Sequence, residues 1–170
     1  MEVMEALRGR QSVKRYLNIP VETEKLEKIL EAGRLAPSAY NHQYRRFIVL
    51  TAPAVKKEVR EKAGAQPMVE DAGAVIVLCA TEDTDFVMRC GEKNYPIDAA
   101  LCGAYMMLEA YEQGLGACWL GAFDAEAVKR TLGIPEDVKV VTMIPVGYHD
   151  GTQERKPRKS LEEITSYNRY

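Results

Sequence analysis

The chain has 170 residues, with 23 Lys and Arg against 25 Asp and Glu for a net charge of −2. That length and balance predict a single domain, residues 1–170, able to bury a core, with no overall electrostatic drive toward nucleic acid. No run approaches the ~20 apolar residues of a membrane span, and the acidic stretch Met1–Leu7 is unlike a signal peptide, so the expectation is a cytoplasmic protein with no membrane partner.

The elements follow in chain order. Met1 to Gly9 reads as a short helix and Arg10 to Tyr16 as polar, irregular chain. From about Thr23 a helix is expected, with Leu26, Ile29, Leu30 and Leu35 on one stripe, stopped by Pro37. Phe47–Leu50 reads as a strand and Val55–Ala63 as a charged surface helix. Ala74–Ala80 is apolar on both alternating sets, the pattern of a central strand covered on both faces. Glu82 to Tyr95 is polar and irregular. Asp98 to Gln113 is the longest helical stretch, and Ala99–Leu108 within it is apolar all round, so a partner subunit is one source of cover. Gly114 and Gly116 end that helix, and Ala117–Leu120 is a short apolar segment. Asp124 is placed to cap a helix through Leu132 that Gly133 closes. Val138–Val146 reads as a buried strand interrupted by Pro145. In the basic tail, Leu161 and Ile164 offer something apolar to dock. Helices interleave with few strands, which predicts a layered α/β/α protein with a mixed sheet.

Two basic clusters lie far apart. Arg10, Lys14 and Arg15 surround Ser12, and Arg155, Lys156, Arg158 and Lys159 stand near the end. Full charges with a neutral hydroxyl donor suit a phosphate, if the fold joins the clusters; otherwise they are solvated charge. No Walker-A or G-x-G-x-x-G pattern is present. The polar loop Pro37–Gln43 offers amides to a flat heteroaromatic ring, or is simply solvated. In Gly114–Asp124, small residues alternate with large ones, either for close approach to a ligand or for tight helix–strand packing. The four cysteines form no C-x-x-C pair, and His42 and His149 are far apart, which argues against a metal cluster. Cys79 and Cys102 read as buried reduced thiols. Cys118 as a nucleophile would need a neighbouring base that the sequence does not place.

Taken together, the motifs are identified as those of a member of the FMN-dependent nitroreductase family. Arg10-Gln11-Ser12-Val13-Lys14-Arg15-Tyr16 resembles its opening R-x-S-x-[RK]-x-[FY] pattern, and Ala36-Pro37-Ser38-Ala39-Tyr40-Asn41-His42-Gln43 resembles its A-P-S-x-x-N-x-Q pattern. Gly114–Gly121 is similar to its third segment, and Pro145-Val146-Gly147-Tyr148 followed by Lys156-Pro157-Arg158 to its closing one. The resemblance implies an α+β, three-layer α/β/α sandwich with a mixed, mostly antiparallel sheet, in an intertwined homodimer with FMN at the interface. It implies that Arg10, Gln11, Ser12 and Lys14 hold the FMN phosphate and ribityl, with Lys156 and Arg158 completing the phosphate site. Pro37, Ser38, Ala39 and Asn41 would meet the flavin ring from the other subunit, and Leu120, Gly121 and Ala122 would lie along the ring.

The implied activity is NAD(P)H-dependent, ping-pong reduction of nitroaromatic, quinone or related small acceptors through flavin N5, with no catalytic side chain and no metal. Relatives with other flavin chemistry (enone dehydrogenation, dehalogenation, flavin fragmentation) and a non-enzymatic FMN-binding module are the alternatives. The chain departs from the family after Gln43, where many members have Pro and then Trp and this chain has Tyr44 and Arg45. Tyr40 also replaces a small residue. Both changes are expected to add bulk or charge at the ring edge, and the short 82–95 segment predicts an open acceptor pocket.

Overall fold

The structure, a computed structural model, describes residues 2–151 and 156–170. Among these residues, helix α1 (Val3–Gly9) leads into an extended segment and then α2 (Thr23–Leu35). Strand β1 (Arg45–Leu50), helices α3 (Pro53–Lys62) and α4 (Met68–Asp71), and strand β2 (Ala74–Ala80) follow. After the 81–93 loop come α5 (Asn94–Glu112), β3 (Gly116–Ala117), α6 (Ala125–Leu132), β4 (Lys139–Gly147) and a last turn of helix, α7 (Leu161–Ile164).

The strands form one sheet in the order β1-β2-β4-β3, every ladder antiparallel. A single parallel bridge from Ser12 to Ala117 extends the β3 edge and makes the sheet mixed. All seven residues of β2 are buried, as a strand between two others with helices on both faces must be. Its side chains alternate between two cores. Ala74, Ile76 and Leu78 join Leu26 and Ile29 of α2 and Cys102 and Met106 of α5. Val75, Val77 and Cys79 join Val59 of α3, Val69 of α4 and Val128 of α6. The result is three layers: α2 and α5, the sheet, then α3, α4 and α6.

Residue-level signals act where they stand. Asp124 accepts from Ala127 N at 3.0 Å and Gly133 takes φ 65°, so α6 is capped at both ends as read. Gly33 lets α5 close on α2, because a Cβ there would overlap Met106. Lys56, buried in the otherwise charged α3, donates its Nζ to Ala72 O at the end of α4. Burial pushes its ammonium below the usual lysine range, with Asp71 and then Glu70 opposing.

Four expectations need correction, and on a fifth point, the cover of α5, the chain leaves room for a partner. Pro145 does not interrupt β4: its carbonyl accepts from Cys118 N at 3.3 Å, so the missing N–H points to the same sheet edge, where β3 has already ended. Helix α5 starts at Asn94, four residues before Asp98, with Pro96 in its first turn, where a missing N–H is tolerated. One face of α5 remains uncovered by its own chain, with Ile97, Leu101 and Tyr105 between 38% and 42% exposed. Leu35, at the last position of α2, lies off the buried Leu26–Ile29–Gly33 face and is exposed. Leu161 and Ile164 are exposed rather than docked, although Ser160 and Glu163 close a capping box around α7 that the S-x-x-E spacing announces.

Candidate functional site

The first basic cluster is pinned by its one apolar residue. Val13 is 1% exposed and donates its N–H to Ala117 O at 3.0 Å, while Ser12 makes the parallel bridge. Gly116 makes room for it: a Cβ there would stand 2.5 Å from Val13 Cγ2. The Tyr16 hydroxyl lies 2.9 Å from Val13 O and 3.0 Å from Pro145 O, closing the segment onto β4. Burial, with a smaller contribution from Cys118, pushes that phenol far above its ordinary range, so it stays a neutral donor. Arg10, half-buried, ends α1 with its N–H on Ala6 O at 2.9 Å. Between these anchors the side chains of Arg10, Ser12 and Lys14 lie about Cys118. Burial raises the Cys118 thiol, and Lys14, a hydrogen bond with Ser12, and Arg10 partly offset that rise. A buried thiol held above its usual range is a poor nucleophile, which sets that reading of Cys118 aside.

Arg10 and Gln11 also line a small pocket with Tyr111, Gly116, Ala117 and His149. Gln11 Oε1 is buried and accepts no hydrogen bond among the described residues. A buried acceptor without a donor is costly, so this atom marks where a ligand hydroxyl would be welcome. His149 was not among the expected residues; nothing in its spacing pointed to the pocket, which the return of β4 creates.

Along the same edge, Leu120 is buried and exchanges backbone hydrogen bonds with Met143 at 3.0 and 3.3 Å. Gly121 and Ala122 are exposed, and a Cβ on Gly121 would meet open space. The two readings of the glycine-rich segment therefore divide: tight packing holds at Gly116, and an open approach at Gly121.

The 37–43 loop is built separately. Arg45 Nη2 reaches back to Arg34 O and Ala36 O, both at 2.8 Å, and satisfies the last carbonyls of α2 just before Pro37. Ala39 N donates to Asp98 Oδ1 at 3.0 Å and Gln43 N to Ser38 Oγ at 3.1 Å. Within this frame Tyr40, Asn41 and Gln43 take φ of 50°, 57° and 57°. Arg45 thus spends Nη2 on the helix carbonyls that lead into Pro37. Asp98 is a loop anchor the sequence did not reveal, since its partner is 59 residues distant.

In the second cluster Lys156 and Arg158 are exposed, with Arg158 Nη1 3.5 Å from Lys156 O. Arg155 lies outside the described residues. Among the described residues no group of three or more His, Cys, Asp or Glu could hold a metal ion, and no helix is long and apolar enough to cross a membrane.

Comparison with known proteins bears on the whole of this arrangement. The profile of the Nitroreductase family matches residues 7–83 and 53–148. An NADH dehydrogenase of Thermus thermophilus is 32% identical, the match covering 91% of this chain and 90% of that one. An FMN reductase [NAD(P)H] of Bacillus subtilis is 28% identical over 99% of this chain and 74% of its own length. The solved structure of an FMN-dependent nitroreductase of Clostridium difficile superposes with a TM-score of 0.83 at 26% identity, covering 99% of this chain and 100% of that one. The docked 10–14 segment and the 37–43 loop both fall inside the matched residues, and the chain belongs to the Nitroreductase family.

Proposed function

We propose that this chain is an NAD(P)H-dependent oxidoreductase that binds FMN and reduces nitroaromatic, quinone or related electron-poor acceptors. The observation that carries the reading is the docked 10–14 segment. It gathers Arg10, Ser12 and Lys14 about β3 beside an acceptor, Gln11 Oε1, that lacks a donor. FMN fits that donor set: its phosphate answers two cations and a hydroxyl, and its ribityl hydroxyls answer the buried amide oxygen. The similar FMN-dependent nitroreductase and FMN reductase support the same cofactor.

When bound, FMN supplies hydride acceptance from NAD(P)H and two-electron delivery to a second molecule. The residues of this chain bind and orient. Arg10, Ser12 and Lys14 would hold the phosphate, joined by Lys156 and Arg158. Leu120 spends its backbone groups on Met143, so Gly121 and Ala122 are the members of that trio whose backbone would face the ring. Pro37, Ser38, Ala39 and Asn41 would meet the ring from a second copy; the Ser38 hydroxyl accepts from Gln43 N and keeps its own hydrogen to donate. The uncovered Ile97–Leu101–Tyr105 stripe and the exposed Leu161 and Ile164 support a homodimer as the working unit. No side chain is asked to act as a nucleophile or as a general acid or base.

The test is an absorbance spectrum of the purified protein followed by anaerobic addition of NADH or NADPH. Flavin bands that bleach are expected. Absence of flavin after incubation with FMN, or bands that persist with both donors, would overturn the reading.

A further inference from the structure

We infer that His149 and Gln11 together hold one hydroxyl of the cofactor's polyol chain, which makes His149 a cofactor-specificity residue of the site proposed above, the reading on which this inference rests. Both residues line one cavity of about 40 Å³, with Arg10, Met107, Tyr111 and Leu115 around them. A cavity of about 10–15 Å³ holds one water, so this one has room for a short run of hydroxyl-sized groups and none for a flavin ring.

The two polar groups have opposite and fixed characters. Gln11 Oε1 is buried, accepts no hydrogen bond among the described residues, and can only accept. His149 Nδ1 accepts from Gly151 N at 3.1 Å, which leaves the hydrogen of the neutral imidazole on Nε2. A group bound by both must accept from an N–H and donate to a carbonyl. A hydroxyl does both. A carboxylate or a doubly ionised phosphate has no hydrogen for Gln11, and an ammonium has no lone pair for His149. The apolar Met107 and Leu115 suit the carbons that carry such a hydroxyl.

The fold holds His149 in place from both sides. Leu17 N donates to Tyr148 O at 3.0 Å, and the Tyr148 hydroxyl donates to Glu22 at 2.8 Å and accepts from Lys25 Nζ at 2.7 Å. The residue before His149 is thereby tied to the start of α2, while Gly151 fixes the ring from beyond. Gln11 is set by its neighbours Ser12 and Val13, both joined to Ala117. Water and a polyol both present hydroxyls, and position favours the polyol. Arg10 lines the same cavity and is a proposed phosphate donor. In FMN the phosphate is esterified to the end of the hydroxylated chain, so a phosphate held at Arg10 brings a hydroxyl within reach.

The probes are FMN and its analogue with an unsubstituted pentyl chain between ring and phosphate, which keeps both ends and lacks the hydroxyls. Each is titrated by fluorescence into the flavin-free full chain, and the ratio of the two dissociation constants cancels general damage to the site. In His149→Leu the preference for FMN should fall about 2- to 10-fold, the contribution of one neutral hydrogen bond. Gln11→Met should lower it similarly, and the double variant should fall by less than the product of the two, because both residues contact one hydroxyl. His149→Gln, which restores an N–H donor, should recover most of the preference. An unchanged ratio in both single variants, the result if the cavity holds water alone, would overturn the inference. So would an equal weakening of FMN and the analogue, which is the mark of a structural role. Wild-type chain that binds neither flavin would instead overturn the functional reading beneath it.

Discussion

The two basic clusters are alike in composition and opposite in circumstance. Arg10–Arg15 contains Val13, which is buried against Gly116 and hydrogen-bonded to Ala117, so three strong donors stand on a fixed edge of the sheet. Lys156–Lys159 contains only Pro157 as an apolar member, and every residue from 156 onward is exposed. Charge decides what a segment can bind; a single buried side chain decides whether it is already in place to do so. The first cluster is pre-organised by its own chain, and in the proposed dimer the second is set by what the tail docks against.

The largest effect should come from removing one arginine on each side of that contrast. Charge-assisted hydrogen bonds contribute roughly 1.5–3 kcal/mol each, so Arg10→Ala with Arg158→Ala should weaken FMN binding by about two orders of magnitude or more. Fluorescence titration of the flavin-free protein measures it. A double variant that purifies with full flavin would remove both residues from the phosphate site.

Next in size is a change that leaves every charge alone and attacks the peg. Gly116→Val drives a side chain into Val13, and overpacking of this kind costs about 1–3 kcal/mol. Thermal unfolding should show the loss, and FMN affinity should fall with it because Ser12 and Lys14 lose their bed. Wild-type affinity in a destabilised Gly116→Val would mean that the docking of Val13 does not position the phosphate donors.

Legibility in the sequence follows the same division. Local chemistry could be read to the residue: the Asp124 and Gly133 caps, the doubly buried β2, the stop at Pro37. Motif spacing marked the 10–14, 37–41 and 120–122 segments. What could not be read were long-range partners. Arg45 carries no local sign of its partners, because only the fold shows the carbonyls of Arg34 and Ala36 beside it. Pro145 looked like a break, because only the sheet order shows which edge its missing N–H faces. The acceptor orphaned at Gln11 depends on pocket geometry that no pattern encodes.

A smaller effect tests whether stability and cofactor binding separate. Asp124 caps α6 on the sheet face opposite α2 and α5. Asp124→Ala should cost about 1 kcal/mol in a denaturant titration and leave FMN affinity unchanged. A parallel loss of flavin would tie the far layer to the site and weaken the contrast between the peg and the rest of the fold.

The thiols give the finest test, through reactivity. Cys90 is exposed, while Cys79, Cys102 and Cys118 are buried. Burial pushes Cys79 and Cys102 each up to about 11, Arg46 and Arg45 respectively lowering them only in part. The thiolate is the reactive form, so iodoacetamide at pH 8 should label Cys90 alone in the wild type. The same two shifts give an alkaline signature. Unfolded thiols ionise near 9.0 and the folded ones near 11, so above pH 9 the unfolded state binds fewer protons and stability falls as pH rises toward 11. Cys118 behaves differently, because it belongs to the second core yet hydrogen-bonds Ser12, and the charges of Lys14 and Arg10 work against its burial. If Val13 is the peg, Gly116→Val should open Cys118 to alkylation while Cys79 and Cys102 stay silent. Labelling of all three would mean general unfolding, and labelling of Cys90 alone would mean that the segment stays down without its peg.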